Sequence, residues 1–182
     1  MSSARRSLIV LDRDGIINAD SDEYIKTPDE WRPLPGSLDA IARLCGAGYD
    51  VVVATNQSGV GRGLFTADTL AAIHARMNTE VAAAGGVIDA IYVCPHAPKD
   101  DCACRKPRPG LLEQIARDYG RRLADVPFVG DKLSDVQAAV AAGARPVFVM
   151  TPERAADVDR ARELGAEIYS SLAHFVDALL DE

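Results

Sequence analysis

Apolar residues along this chain occur in two patterns. Some form short unbroken runs, and others recur every three or four positions. Leu8-Ile9-Val10-Leu11, Val51-Val52-Val53-Ala54, Val87 to Val93, Pro127-Phe128-Val129 and Pro146-Val147-Phe148-Val149 are of the first kind. Such runs predict strands buried on both faces, the state found in parallel sheets. A shorter strand is expected at Glu167-Ile168-Tyr169. The helical pattern places Leu38, Ile41, Leu44 and Cys45 on one face, after a capping Ser37. Thr66 opens a longer helix with Leu70, Ile73, Met77 and Val81 on its stripe, stopped at Gly85-Gly86. Further helices are marked by Leu111, Leu112, Ile115, Ala116 and Tyr119, and by Leu133, Val136 and Val140. The last two run from about Ala155 to Leu164 and onward from Ser171. Strands alternating with helices predict an α/β fold, a doubly wound, Rossmann-like parallel sheet covered on both faces.

With 182 residues the chain is expected to be one domain, 1–182. The connections 15–36 and 94–109 are too short to hold a cap domain. Hydrophobic residues make up 48%, enough for a full core. Lys+Arg is 20 and Asp+Glu is 27, a formal net charge of −7. This argues against general nucleic-acid binding but leaves room for a small anionic substrate where positive groups are concentrated. Met1-Ser2-Ser3-Ala4-Arg5-Arg6 is basic, but the apolar run after it is too short for a signal peptide. No stretch is long enough to span a membrane. A cytoplasmic monomer without membrane partners is expected, with its four cysteines reduced or metal-bound.

Chemistry enters where strands end. Leu11 is followed by Asp12-Arg13-Asp14-Gly15, the second strand by Thr55-Asn56, and the fourth by Gly130-Asp131, with Asp135 close behind. In a doubly wound sheet these ends share one edge, where ligands bind. Two crowded carboxylates call for a hard cation, so Mg²⁺ with oxygen ligands is expected. The inventory fits phosphoryl transfer, with Asp12 as nucleophile and Asp14 as general acid and base. Mg²⁺ would be held by Asp12, Asp131 and the backbone carbonyl of Asp14. Thr55 and Lys106 would steady the phosphoryl oxygens. Each group taken alone could be a polar turn, a cap or a solvated lysine. Their order at successive strand ends favours the site.

A second constellation is Cys94-x-His96 followed by Cys102-x-Cys104. Three thiolates and an imidazole in one loop predict a structural, tetrahedral Zn²⁺ site with no open position. Arg105-Lys106-Pro107-Arg108-Pro109-Gly110 comes next, a dense positive segment suited to gripping phosphate or sugar hydroxyls. Cys45 is expected in the core. His74 and His174 are expected on helices as structural residues without an evident partner.

Leu11-Asp12-Arg13-Asp14-Gly15, Thr55-Asn56, Lys106 and Gly130-Asp131-Lys132-Leu133-Ser134-Asp135 resemble the four motifs of the haloacid dehalogenase (HAD) superfamily phosphatases. The resemblance covers about Leu8 to Val149 and implies the HAD fold with the roles given above. Paired with the zinc loop, these motifs resemble the capless subgroup acting on heptose bisphosphates or histidinol phosphate, and the heptose branch more closely. The resemblance implies substrate contacts from Asp20, Ser21, Asp22 and Glu23, from Thr55, Asn56, Gln57 and Ser58, and from Arg105, Lys106 and Lys132. The implied reaction removes the 7-phosphate of a heptose 1,7-bisphosphate, in precursor synthesis for lipopolysaccharide core. Histidinol phosphate as substrate, or a non-catalytic phosphosugar-binding role, are the alternatives. Ile16 stands where many relatives carry threonine.

Overall fold

A computed structural model of the chain describes residues 6–181. Met1 to Arg5, most of the basic N-terminal segment, and Glu182 lie outside that range. Six strands, β1 (Ser7–Leu11), β2 (Tyr49–Asn56), β3 (Ala90–Cys94), β4 (Pro127–Gly130), β5 (Arg145–Val149) and β6 (Glu167–Tyr169), form one sheet. Their order is β3-β2-β1-β4-β5-β6, and every pairing is parallel. The helices are α1 (Ser37–Gly46), α2 (Ser58–Gly61), α3 (Ala67–Ala83), α4 (Gly110–Asp118), α5 (Leu133–Ala142), α6 (Val158–Glu163) and α7 (Leu172–Leu180).

The central strand shows why its sequence is an unbroken apolar run. Successive side chains of a strand point to opposite faces. Ile9 and Leu11 pack with Ile41 and Leu44 of α1, Ile73 and Met77 of α3, and Phe175 of α7. Leu8 and Val10 enter a second core with Leu111, Leu112 and Ile115 of α4 and Ala138 and Ala139 of α5. A smaller cluster joins Val136 and Phe148 to Val158 and Ala161 of α6. Strand order reverses between β1 and β4, and the crevice at such a switch point is where α/β sheets bind ligands.

Some expectations are corrected. Residues 87–89 precede β3, which starts at Ala90, and Val87 is 58% exposed. The cause is Asp89, whose carboxylate accepts the Val51 N–H at 2.8 Å in place of a strand carbonyl. Ser37 is the first residue of α1, and Gly36 with φ 77° takes the cap position. The Ser37 hydroxyl instead donates to Ile17 O at 2.7 Å, tying α1 to the segment after β1. Pro152 opens a 3₁₀ turn, Pro152–Asp157, so the regular helix begins only at Val158. Val140 falls outside the α5 stripe and is exposed, and Cys45 is half-buried against the core.

Replacing Ile9, which is fully buried at the sheet centre, with alanine should cost about 2–5 kcal/mol from lost burial and the cavity left behind. Chemical denaturation measures it as a lowered midpoint at unchanged slope.

Candidate active site

The carboxyl ends of β1, β2 and β4 bring the expected residues together. Asp12 follows β1 directly, and its N–H donates to Val129 O of β4 at 2.8 Å. Its Oδ1 accepts from Arg13 N at 2.8 Å and lies 2.9 Å from the Lys106 ammonium. No described residue donates to Oδ2. Lys106 also reaches Asp135 Oδ1 at 2.7 Å and Ala54 O at 3.0 Å. Asn56 fixes the backbone of Lys106 from both sides, with its amide donating to Lys106 O and its carbonyl accepting from Lys106 N, each at 3.2 Å.

Burial raises the Asp12 carboxyl to about 6, against the pull of Lys106. Asp131 is raised to about 7, again chiefly by burial. Burial opposes the charge of Lys106, but Asp12 and Asp135 outweigh it and its pKa is raised. Asp14 behaves oppositely. Burial works against its ionisation, but Arg13, Asn18 and Gln57 together hold its pKa below the ordinary value. The Arg13 fork donates to both oxygens, Asn18 Nδ2 to Oδ1 at 2.9 Å, and Gln57 Nε2 to Oδ2 at 2.8 Å.

Carboxylate oxygens of Asp12, Asp131 and Asp135 lie within 4.8 Å of one another, close enough to share a cation. Among the described residues nothing hydrogen-bonds the buried Asp131 Oδ1, which suits an oxygen that holds a cation. Asp135 Oδ1 is likewise without a hydrogen bond among the described residues, but it pairs with the Lys106 ammonium at 2.7 Å, while Oδ2 accepts from Lys132 N at 3.1 Å. Gly15, at φ 84°, allows the close approach, because a Cβ there would lie 2.4 Å from the Asp131 carboxylate.

A cavity of about 520 Å³ opens over Asp12. Its walls include Asp20, Ser21, Asp22, Asn56, Gln57, Ser58, Arg105, Lys106 and Lys132. Thr55 is buried beneath, and its hydroxyl accepts from Gln57 Nε2 at 2.9 Å. Glu23 lines only a smaller, neighbouring depression. Arg108 braces the loop by donating to the carbonyls of Asp101 and Cys102.

The cysteine loop closes on itself. Cys94 Sγ lies 3.6 Å from Cys102 Sγ and 3.7 Å from His96 Nδ1, while Cys104 Sγ lies 3.5 Å from Cys102 Sγ and 3.3 Å from His96 Nδ1. These separations are too long for a disulfide. They match the edges of a tetrahedron about 3.8 Å on a side, as Zn–S bonds of about 2.3 Å give.

A HAD-hydrolase-like family model matches residues 103–175. The D-glycero-beta-D-manno-heptose-1,7-bisphosphate 7-phosphatase of Bordetella bronchiseptica is 53% identical over 176 residues, covering 96% of this chain and 98% of the relative. The enzyme of the same name from Pseudomonas aeruginosa is 50% identical, with 96% and 98% coverage. The crystal structure of D,D-heptose 1,7-bisphosphate phosphatase from B. bronchiseptica, complexed with magnesium and phosphate, superposes with a TM-score of 0.90 at 50% identity. It covers 96% of this chain and 98% of that one. The corresponding phosphatase from Burkholderia thailandensis gives 0.73 at 41% identity, with 97% and 100% coverage.

The chain belongs to the HAD-superfamily D-glycero-beta-D-manno-heptose-1,7-bisphosphate 7-phosphatases.

Within this family arrangement the structure adds residues that sequence reasoning passed over. Arg13, between the two acids, is 1% exposed and grips Asp14. Its third nitrogen meets His74, which thus has a partner after all. A polar residue four positions after Leu70 on an otherwise apolar stripe was the available signal. Arg154 lies 3.7 Å from Asp131 and 3.6 Å from Asp20, a placement that only the tertiary fold creates. His174 lies 3.1 Å from the Ser170 hydroxyl, away from the site.

The raised carboxylates set a pH dependence. The folded, metal-free protein holds protons on Asp12 and Asp131 that the unfolded chain releases near 3.8. Its stability should therefore fall as pH rises from about 4 to about 7. Mg²⁺ needs the deprotonated carboxylates. Adding it after chelation should raise the melting temperature more at about pH 8 than at about pH 5. An equal shift at both pH values would contradict a cation held by these groups.

Proposed function

We propose that this protein removes the 7-phosphate of D-glycero-D-manno-heptose 1,7-bisphosphate, through a phosphorylated Asp12. The observation that carries the reading is the state of the Asp12 carboxylate. One oxygen is anchored by Arg13 N and Lys106, and the other takes no donor from the described residues and faces a cavity whose walls include Arg105 and Lys132. The substrate is supported by the names of relatives that are 50–56% identical.

Asp12 Oδ2 attacks phosphorus and the bond to the sugar oxygen breaks. Asp14 gives that oxygen a proton, the approaching phosphate charge having raised its proton affinity. Asp14 then takes a proton from the water that attacks the acyl phosphate, freeing Asp12. Lys106 and Thr55 steady the phosphoryl oxygens, and Gln57 ties the Thr55 hydroxyl to Asp14. Asp12, Asp131 and the carbonyl of Asp14 would hold Mg²⁺. When bound, Mg²⁺ screens repulsion between carboxylate and phosphate. Arg105, Lys132, Asn56, Ser58 and the segment Asp20 to Asp22 form the substrate contacts. Glu23 contributes from the rim.

Cys94, His96, Cys102 and Cys104 hold a structural zinc that shapes the loop 94–109 within a single domain. No helix among the described residues is long and apolar enough to cross a membrane. The reading takes the protein as a cytoplasmic monomer serving heptose-precursor synthesis, without nucleic-acid partners.

Metal analysis should find about one zinc per chain surviving dialysis. Cys102→Ser should lose it, lower the melting temperature and weaken substrate binding. A zinc-free, fully stable wild-type protein would remove this part of the account.

The function is tested by phosphate release from heptose bisphosphate, histidinol phosphate and an oligonucleotide 3′-phosphate. A clear kcat/KM preference for the bisphosphate is expected, because the cationic end of histidinol phosphate meets Arg105. Arg105→Ala should cost about 1.5–3 kcal/mol on the bisphosphate, the scale of a charged hydrogen bond, and less on histidinol phosphate. Equal turnover of both substrates would reduce the assignment to an unspecified phosphatase.

A further inference from the structure

Arg13 is among the largest fully buried side chains of the protein. A guanidinium cannot shed its charge, so every buried face needs an acceptor. Nε and Nη2 meet that need on Asp14 Oδ1, at 3.1 and 2.8 Å, with Nη2 also 3.1 Å from Oδ2. Nη1 lies 3.2 Å from Nε2 of His74 on α3. Since arginine only donates, that ring nitrogen must carry the lone pair, and the His74 proton sits on Nδ1. Burial, and then the charge of Arg13, push His74 down to about 4, so it stays a neutral acceptor at neutral pH.

We propose that His74 is a positioning residue for the reaction, aiming the Arg13 fork so that it sets the plane and direction of the Asp14 carboxylate. The inference rests on the reading of Asp14 as acid and base. The geometry supports a relay of orientation. A long arginine side chain leaves the plane of its fork open to rotation unless its far nitrogen is anchored. His74 supplies that anchor from a rigid element, because its neighbours Ile73 and Met77 on α3 are fully buried in the main core. Asn18 and Gln57 then meet the two Asp14 oxygens from the remaining directions. General acid catalysis requires the carboxyl within hydrogen-bond reach of the departing oxygen, so a tilted fork misplaces the proton donor.

The test separates aim from mere packing by the leaving group. A sugar alkoxide departs only with a proton, whereas p-nitrophenolate departs without one. Because kcat/KM extends only through leaving-group loss, it omits the later base role of Asp14. Asp14→Asn should lower kcat/KM on heptose bisphosphate by about 10²–10⁴-fold and spare p-nitrophenyl phosphate. His74→Leu should show the same selectivity on a smaller scale, about 10-fold, at little-changed KM. His74→Gln, whose side-chain carbonyl can accept from Arg13, should recover most of the loss. Thermal melts confirm that each variant is folded. Equal losses on both substrates for His74→Leu, or a glutamine variant as poor as leucine, would overturn the proposal. If Asp14→Asn itself shows no selectivity, the acid role falls and this inference with it. A selective Asp14→Asn beside a non-selective His74→Leu removes the inference alone.

Discussion

A buried ammonium organises this protein. Lys106 is 4% exposed, pairs with Asp12 just after β1 and with Asp135 of α5, and donates to the Ala54 carbonyl of β2. Its charge also lies 5.3 Å from the centre of the Phe128 ring of β4. Removing two or three ions from water costs several kcal/mol each, and only complete pairing offsets it. Deleting one partner would leave the others uncompensated, at a cost of about 3–5 kcal/mol. These charges therefore lock together the segments that converge at the switch point, and in the proposed mechanism they also offset the phosphoryl group. By contrast, the half-exposed pairs of Asp20 with Lys132 and Arg154, at 2.8 and 3.6 Å, brace the entrance loop at little energetic consequence.

The cysteine loop explains how Lys106 and Arg105 are delivered. Cys94 ends β3, and Cys104 immediately precedes Arg105, so a single tetrahedral cluster joins the sheet to the cationic segment. Packing against α2 is tight. Gly61 N donates to Pro95 O at 2.8 Å, and a Cβ on Gly61 would lie 2.6 Å from that oxygen. The cavity walls include this loop, the start of α2, the segment around Asp20 to Ile25, and Lys132 and Arg154.

Much of this was legible in the sequence, for physical reasons. A strand buried on both faces must be apolar throughout, so β1, β2, β4 and β5 announced themselves, and the acids placed after β1 and β4 had to meet at one edge. Metal-ligand spacing within one loop is local, so Cys94, His96, Cys102 and Cys104 could be grouped before any fold was known. Boundaries set by side-chain competition were not legible. Asp89 displaced the start of β3, and Pro152 delayed α6, through contacts that no periodicity encodes. Nor were polar contacts between distant elements. Arg13 reads as a spacer between two acids until the fold buries it, and His74 reads as an orphan until α3 packs beside it. Arg154 meets Asp131 only through the tertiary course of the chain after β5.

The central claim is a covalent bond between Asp12 and phosphorus, and it has a direct measurement. Arg6 and Arg13 flank Asp12, so trypsin releases it in the short peptide Ser7–Arg13. Wild-type enzyme mixed with heptose bisphosphate and quenched in acid during the first turnover should yield this peptide with one added phosphoryl group, localised by fragmentation to Asp12. Phosphate released within that turnover, with the peptide unmodified at every quench time, would contradict the account.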